Sequence, residues 1–133
     1  MSLFLLIGGF AGVLIILNAI ANSIGNKGIT MVNATTARTL VKDPKVTLLD
    51  VRTPGEYNEG HLKNARLIPV AELAGRISEL DSVKNSPILV YCRSGNRSGV
   101  ASRLLKKAGF TNVSNLQGGI TAWQGAGGAV TKS

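Results

Sequence analysis

The sequence predicts an α/β domain with a mostly parallel central sheet flanked by helices, preceded by one N-terminal transmembrane helix. Two observations lead to this reading. From Ile29 onward, short apolar, β-favouring runs alternate with helical patterns, as chains of strand–helix units with parallel sheets do. Before them, Leu3 to Ile24 contains no charged side chain. The chain has 133 residues, enough for one domain of ordinary size. The expected organisation is an anchor over residues 1–24, a linker over 25–28, the domain over 29–126 and a flexible tail over 127–133.

As a helix, residues 3–24 would extend about 33 Å at 1.5 Å per residue, enough to cross a bilayer core. Asn18 and Asn22 lie near its end, where headgroups can satisfy them, and Gly8-x-x-x-Gly12 has the spacing of a helix-packing motif. Lys27, Arg38 and Lys42 follow the segment and no basic side chain precedes it. The positive-inside rule then puts the C-terminal domain in the cytoplasm. The competing reading is a cleaved signal peptide with Ala19-Ile20-Ala21 as its small-x-small site, followed by export. Against it stand the missing basic n-region and an apolar run longer than an ordinary signal core.

The elements of the domain follow in order. Ile29 to Met31 is an edge strand. Residues 34–42 form a helix with Asn33 as N-cap. Val46 to Asp50 is too apolar for one-sided exposure and is a central strand. Thr53-Pro54-Gly55-Glu56 opens a short helix, with Thr53 at the N-cap, Pro54 at the first helical position and Glu56 completing a capping box. Arg66 to Ile68 is a second short strand ended by Pro69. Residues 71–80 form a helix with Leu73, Ile77 and Leu80 on one face. Ile88 to Tyr91 is the next buried strand. Residues 97–108 form the best helix, with Val100, Ala101, Leu104 and Leu105 inward, Lys106 and Lys107 suiting the dipole in the last turn, and Gly109 as the C-terminal stop. Thr111 to Ser114 is the last strand, and Gly119 to Gln124 the last helical turn.

Composition narrows the function. Aromatic residues make up 5% of the chain, so the core rests on Leu, Ile, Val and Ala. One cysteine and one histidine exclude a disulfide framework and speak against a structural metal. The net charge is +8, but the bases are spread along the chain with no Lys/Arg block interleaved with aromatics, which argues against nucleic acid. A basic surface suited to anionic substrates or an anionic leaflet fits better.

The single cysteine sits in Cys92-Arg93-Ser94-Gly95-Asn96-Arg97, between the end of a strand and the start of a helix. Backbone N–H groups converge at such a junction and the helix dipole favours negative charge there, which lowers a thiol pKa and makes a nucleophile. A lone cysteine is more often a small buried hydrophobe; the polar, glycine-containing surroundings and two arginines reverse that expectation. Arg97 stands where a cation is unfavourable unless an anion is near, which supports a ligand role. In open sheets of this kind ligands bind at the carboxyl ends of the strands, where Cys92 and Asp50 both fall. Asp50 is read as capping the next turn or orienting an arginine, His61 as a packing residue, and Trp123 as core or pocket rim.

Three separated motifs resemble the rhodanese domain family. They are Asp50-Val51-Arg52-x-x-x-Glu56-Tyr57-x-x-Gly60-His61-Leu62, then Cys92-Arg93-Ser94-Gly95-Asn96-Arg97-Ser98, then Leu116-Gln117-Gly118-Gly119-Ile120-x-Ala122-Trp123. The resemblance covers residues 29–126. It implies the rhodanese fold and thiosulfate-type sulfurtransferase activity without a cofactor, and it is the main reason to include Arg52 in the site. The implied partners are a small anionic sulfur donor and a thiophilic acceptor, either cyanide or a thiol. Cys92 would attack the donor and carry sulfur as a persulfide. Backbone N–H groups from Arg93 through Ser94, Gly95, Asn96 and Arg97 to Ser98 would stabilise the anionic sulfur, and Arg93 and Arg97 would draw in a dianion such as thiosulfate. Asp50 and Ser98 support the site.

Loop length separates this chemistry from phosphate chemistry. Cysteine-dependent phosphatases use Cys-x5-Arg, whereas Cys92 to Arg97 is Cys-x4-Arg, a tighter ring suited to a persulfide sulfur. The alternatives are a sulfur carrier or thiol-sensing module without steady turnover, and a phosphatase-like hydrolase.

Overall fold

A computed structural model describes residues 28–133. The expected membrane segment, and all of the linker except Gly28, lie outside the described residues. No helix among the described residues is long and apolar enough to cross a membrane. Five strands form one sheet: β1 (Ile29–Val32), β2 (Thr47–Asp50), β3 (Arg66–Leu67), β4 (Ile88–Tyr91) and β5 (Val113–Leu116). The order is β1-β5-β4-β2-β3 and every pairing is parallel. β1 is an edge, and β4 is central with all four residues buried. Register aligns Asp50 with Tyr91, so the residues just past β2 and β4 open at the same end of the sheet.

Five α-helices cover the sheet: α1 (Ala34–Leu40), α2 (Pro54–Glu59), α3 (Val70–Arg76), α4 (Asn96–Lys107) and α5 (Gly119–Gly125). Local chemistry sets their starts. Asn33 Oδ1 accepts the Thr36 N–H at 2.8 Å. Thr53 and Glu56 form the reciprocal capping box, with Pro54 at the first position. Strand alternation splits the core into two layers. Leu48, Leu89, Tyr91 and Leu116 pack with α1 and α5 residues, including Ala37, Leu40, Ile120 and Trp123. Leu49, Val90 and Cys92 pack on the other face with Leu73, Leu80, Ala101 and Leu105.

Several expectations change. The helix expected over 71–80 is α up to Arg76 and then tightens into a 3-10 helix over Ile77–Val83. That stretch, Ile-Ser-Glu-Leu-Asp-Ser-Val, is rich in β-branched and short polar residues that compete with an α-helical backbone; Leu80 is still fully buried. β5 starts at Val113 and extends to Leu116, two residues later than expected. On α4 the inward face is Ser98, Ala101, Ser102 and Leu105, while Val100, expected inside, is 45% exposed. The helix is rotated so that Ser98 faces Cys92. The two buried serines are tolerated because the Ser102 hydroxyl donates to the Ser98 carbonyl at 2.7 Å and the Ser98 hydroxyl donates to the Gly95 carbonyl at 3.2 Å.

Residues 127–133, read as a flexible tail, make defined contacts. His61 and Thr131 exchange backbone hydrogen bonds at 2.8 Å, and the Trp123 indole N–H donates to the Ala129 carbonyl at 2.9 Å. His61 stacks on Tyr57 with ring centroids 3.6 Å apart.

The rotation of α4 has a direct consequence for stability. Leu105→Ala should cost about 2–5 kcal/mol through the cavity it leaves, whereas Val100→Ala should fall within about 0.5 kcal/mol of the parent. Urea unfolding of the two variants checks this; equal losses would refute the observed facing.

Candidate active site

Strand β4 delivers Cys92 to the carboxyl end of the sheet, and the loop turns at once into α4. Cys92 is 1% exposed. The turn depends on Gly95, whose φ of +116° is a conformation that side-chain-bearing residues rarely adopt. With its backbone so placed, the Gly95 N–H points back and donates to Cys92 Sγ at 3.1 Å. The Ser98 hydroxyl oxygen lies 3.4 Å from Sγ. Burial pushes the Cys92 thiol up, but the Ser98 hydroxyl and the backbone N–H groups of Ser98, Gly95 and Ser94 outweigh it, and the thiol lies below the ordinary cysteine value. Gly95 is the N-cap of α4 and supplies no side chain, so the first turn keeps its N–H groups for an anion.

The loop is held from behind by α5. The Ile120 N–H donates to the Cys92 carbonyl at 2.9 Å and the Thr121 N–H to the Arg93 carbonyl at 3.2 Å. Gly119 makes this approach possible. A Cβ there would collide with the backbone of Cys92 and Arg93, and its φ is +60°. The Gly118-Gly119 pair of the third motif is therefore a seat for the cysteine loop.

The three site arginines have different surroundings. Arg52 is buried against Asp50, with Nη2 to Oδ2 at 2.7 Å and Nε to Oδ1 at 3.0 Å. It also donates to the Gly60 carbonyl at 2.7 Å and lies over the Tyr91 ring at 5.6 Å. Asp50 Oδ1 additionally accepts the Arg52 N–H at 2.9 Å, so this carboxylate both caps the turn and orients the arginine. Burial pulls the Arg52 guanidinium down, but Asp50 more than reverses this and the net shift is upward. Arg97 turns to Glu56, with Nη1 to Oε1 at 2.6 Å and Nη2 to Oε2 at 2.8 Å. The Arg97 guanidinium is the main cause that holds the Glu56 carboxyl at about 2. Arg93 is exposed.

Arg52 and Arg93 line one cleft of about 360 Å³, together with Glu56, Glu59, Gly60, Ile120, Thr121 and Gln124. Cys92, Gly95 and Ser98 thus come together around the sulfur, with the Ser94 backbone beside them. Asn96 begins α4 and its side chain is exposed. Sequence reasoning gave Glu56 only a capping role and did not single out Glu59, Thr121 or Gln124. Glu56 is the one of these four that a quoted motif specifies, Glu59 and Thr121 falling at unspecified positions, and its reach across to Arg97 is a tertiary contact spanning 41 positions. Among the described residues, no group of His, Cys, Asp and Glu could hold a metal ion.

Comparison with known proteins agrees with the fold and the motifs. The family model described as rhodanese-like domain matches residues 33–126. A protein named sulfurtransferase from Allochromatium vinosum is 41% identical over 78 residues, 59% of this chain and 71% of its own. The thiosulfate sulfurtransferase PspE of Escherichia coli is 39% identical over 70 residues, 53% of this chain and 67% of its own. YqhL of Bacillus subtilis is 42% identical over 81 residues, and the match spans 61% of this chain and 63% of that protein. Among solved structures, a rhodanese-related protein from Thermoplasma volcanium superposes with a TM-score of 0.70 at 32% identity, covering 77% of this chain and 98% of that one. With its five-stranded parallel sheet, its cysteine loop and a family match across nearly all of the domain, the chain belongs to the rhodanese-like domain family.

Proposed function

We propose that the domain is a thiosulfate-type sulfurtransferase that moves sulfane sulfur to a thiophilic acceptor, cyanide or a thiol, through a persulfide on Cys92. The observation that carries this reading is the buried Cys92 sulfur at the end of β4, held below its ordinary pKa by the Ser98 hydroxyl and loop N–H groups. The names of the Allochromatium and Escherichia relatives support it.

In the first half-reaction the Cys92 thiolate attacks the outer sulfur of thiosulfate. The new S–S bond forms on Cys92, the donor S–S bond breaks, and its electron pair leaves with sulfite. In the second, cyanide attacks the terminal persulfide sulfur, forms thiocyanate and returns the Cys92 thiolate. Charge on the terminal sulfur stays next to fixed donors that need no reorganisation, which is the condition for electrostatic stabilisation in a water-poor site. The Ser98 hydroxyl has two acceptors within reach, the Gly95 carbonyl at 3.2 Å and Cys92 Sγ at 3.4 Å. It can serve the carbonyl while the thiol donates to it, and turn to the sulfur once the sulfur is charged.

Residues 3–24 are read as a single-pass anchor holding the domain on the cytoplasmic side, on the strength of their charge-free run and the basic residues that follow. Alkaline carbonate extraction with intact mass should find the full-length chain in the membrane fraction; a species beginning at Asn22 would refute the anchor.

Wild-type protein incubated with thiosulfate should gain one sulfur atom by intact mass, and adding cyanide should remove it as thiocyanate. Cys92→Ser should lower thiocyanate formation to the uncatalysed rate, and full activity in that variant would refute the mechanism. Ser98→Ala removes a hydrogen bond to the charged sulfur. Because such a bond favours the thiolate, its loss raises the Cys92 pKa, and the midpoint of the alkylation-rate profile against pH should move up by about 1 pH unit. Below that midpoint the variant should alkylate more slowly than wild type; an unchanged profile would remove Ser98 from thiolate stabilisation.

A further inference from the structure

Unpaired positive charge gathers at the end of the sheet opposite the Cys92 loop. Ile29, Val113, Ile88 and Thr47, the first residues of β1, β5, β4 and β2, stand in register. They mark one edge of the sheet, and α1 and α4 end beside it. Lys42 follows α1, and Lys45 lies two residues before β2. Lys84 lies four residues before β4, and its carbonyl accepts the Thr111 N–H beside the start of β5. Its stem reaches Gly109, where a Cβ would come within 3.0 Å of Cε. Lys106 and Lys107 close α4, and a Cβ on Gly28 would collide with the Lys106 stem. None of these lysines makes an ion pair among the described residues. The carboxylates beside them are Asp43, which is buried and accepts the Lys45 N–H at 2.9 Å, and Asp81, which is exposed. At the carboxyl end of the sheet, by contrast, Arg52 and Arg97 are paired with Asp50 and Glu56.

We propose that this lysine-bearing end of the domain lies on the anionic headgroups of a phospholipid leaflet, with the Cys92 loop facing away from the bilayer. The proposal rests on the reading of residues 3–24 as an anchor and names the face that the anchor presents. Only residues 25–28 separate that charge-free run from β1, so this end of the sheet is the one brought to the bilayer. Anionic lipid attracts lysines within a Debye length of its surface, about 8 Å at physiological salt. Lysine suits the contact, because its stem lies along the protein while its ammonium reaches outward. The aromatic side chain that follows these lysines in sequence, Phe110, is buried, which leaves no platform there for stacking a nucleic acid base. β4 is four residues long, about 13 Å at 3.3 Å per residue, so the Cys92 loop stays beyond the reach of the surface charge. The sulfur acceptor then arrives from the aqueous side.

The test mixes the full chain with vesicles of phosphatidylcholine, alone or with phosphatidylserine, and follows lysine acetylation by a membrane-impermeant ester, residue by residue. With phosphatidylserine, acetylation of Lys84, Lys106 and Lys107 should slow by about fivefold. Lys132, which follows the tail contact with His61, should keep its rate. Salt at about 1 M, where the Debye length falls to about 3 Å, should abolish the difference. Lys42→Gln, Lys45→Gln and Lys107→Gln together replace three exposed side chains. The urea midpoint of that triple variant should hold, and the slowing at Lys84 and Lys106 should vanish. Equal acetylation on the two kinds of vesicle, slowing at Lys132 instead, or undiminished slowing in the triple variant overturns the proposal. Equal protection of the same lysines by duplex DNA over neutral vesicles also overturns it. Flotation reports on the anchor separately. A chain that floats with phosphatidylserine vesicles through its lysines, but not with phosphatidylcholine alone, loses the anchor and keeps the docking face; a chain that floats with neither loses both.

Discussion

The cost of placing charge on a buried sulfur is the constraint around which the cysteine loop is arranged. Burial alone would keep Cys92 protonated and inert. The compensation comes from the Ser98 hydroxyl and from loop N–H groups fixed by the backbone. That requirement explains the left-handed Gly95, whose conformation turns its N–H onto Sγ, and the absence of a side-chain cap on α4. It also explains the rotation of α4, which spends buried surface on Ser98 and exposes Val100. The conflict between packing and chemistry is resolved in favour of chemistry, and the Ser102 and Ser98 hydrogen bonds keep its cost small.

Dipoles stabilise a charge only if they cannot move away from it. The seat formed by α5 meets that condition. Two N–H groups of its first turn are used up on the carbonyls of Cys92 and Arg93, which orients those peptide planes. The tail extends the same support outward: Trp123 is tied to Ala129, and Thr131 to His61 just past the end of α2. Elements distant in sequence thus brace one another at the sheet end where the cysteine emerges.

Much of this was legible in the sequence because it depends on local rules. Strand–helix alternation, the Thr53–Glu56 capping box and the glycine between Cys92 and α4 each carry a short-range physical signature. Helix facing was read less well. Apolar periodicity placed Val100 inward, where the structure exposes it, whereas Leu104 does pack half-buried against the core, and nothing local to α4 shows that two serines would be preferred on its buried face. The 3-10 segment after Arg76 was missed because Leu73, Ile77 and Leu80 keep the same spacing whether the backbone is tight or regular. Glu56 was legible as a cap but not as the partner of Arg97, since that pairing depends on how α2 packs beside α4. The sequence likewise suggested several arginines near an anion without showing which ones were already neutralised.

That distribution of charge bears on what the site can select. Arg52 is immobile: stripping away either member of its pair would leave a buried charge uncompensated, a loss of about 3–5 kcal/mol. Its work is to hold Gly60 and the turn after β2 in place. Arg97 is half-buried and held by a carboxylate that also caps α2. Releasing it toward a ligand would cost both the ion pair and part of the cap. The sulfur chemistry, by contrast, is stabilised by backbone groups and one hydroxyl, which are indifferent to the identity of the donor. The paired charges hold the site in shape, while the loop N–H groups and the Ser98 hydroxyl are the groups that reach the sulfur.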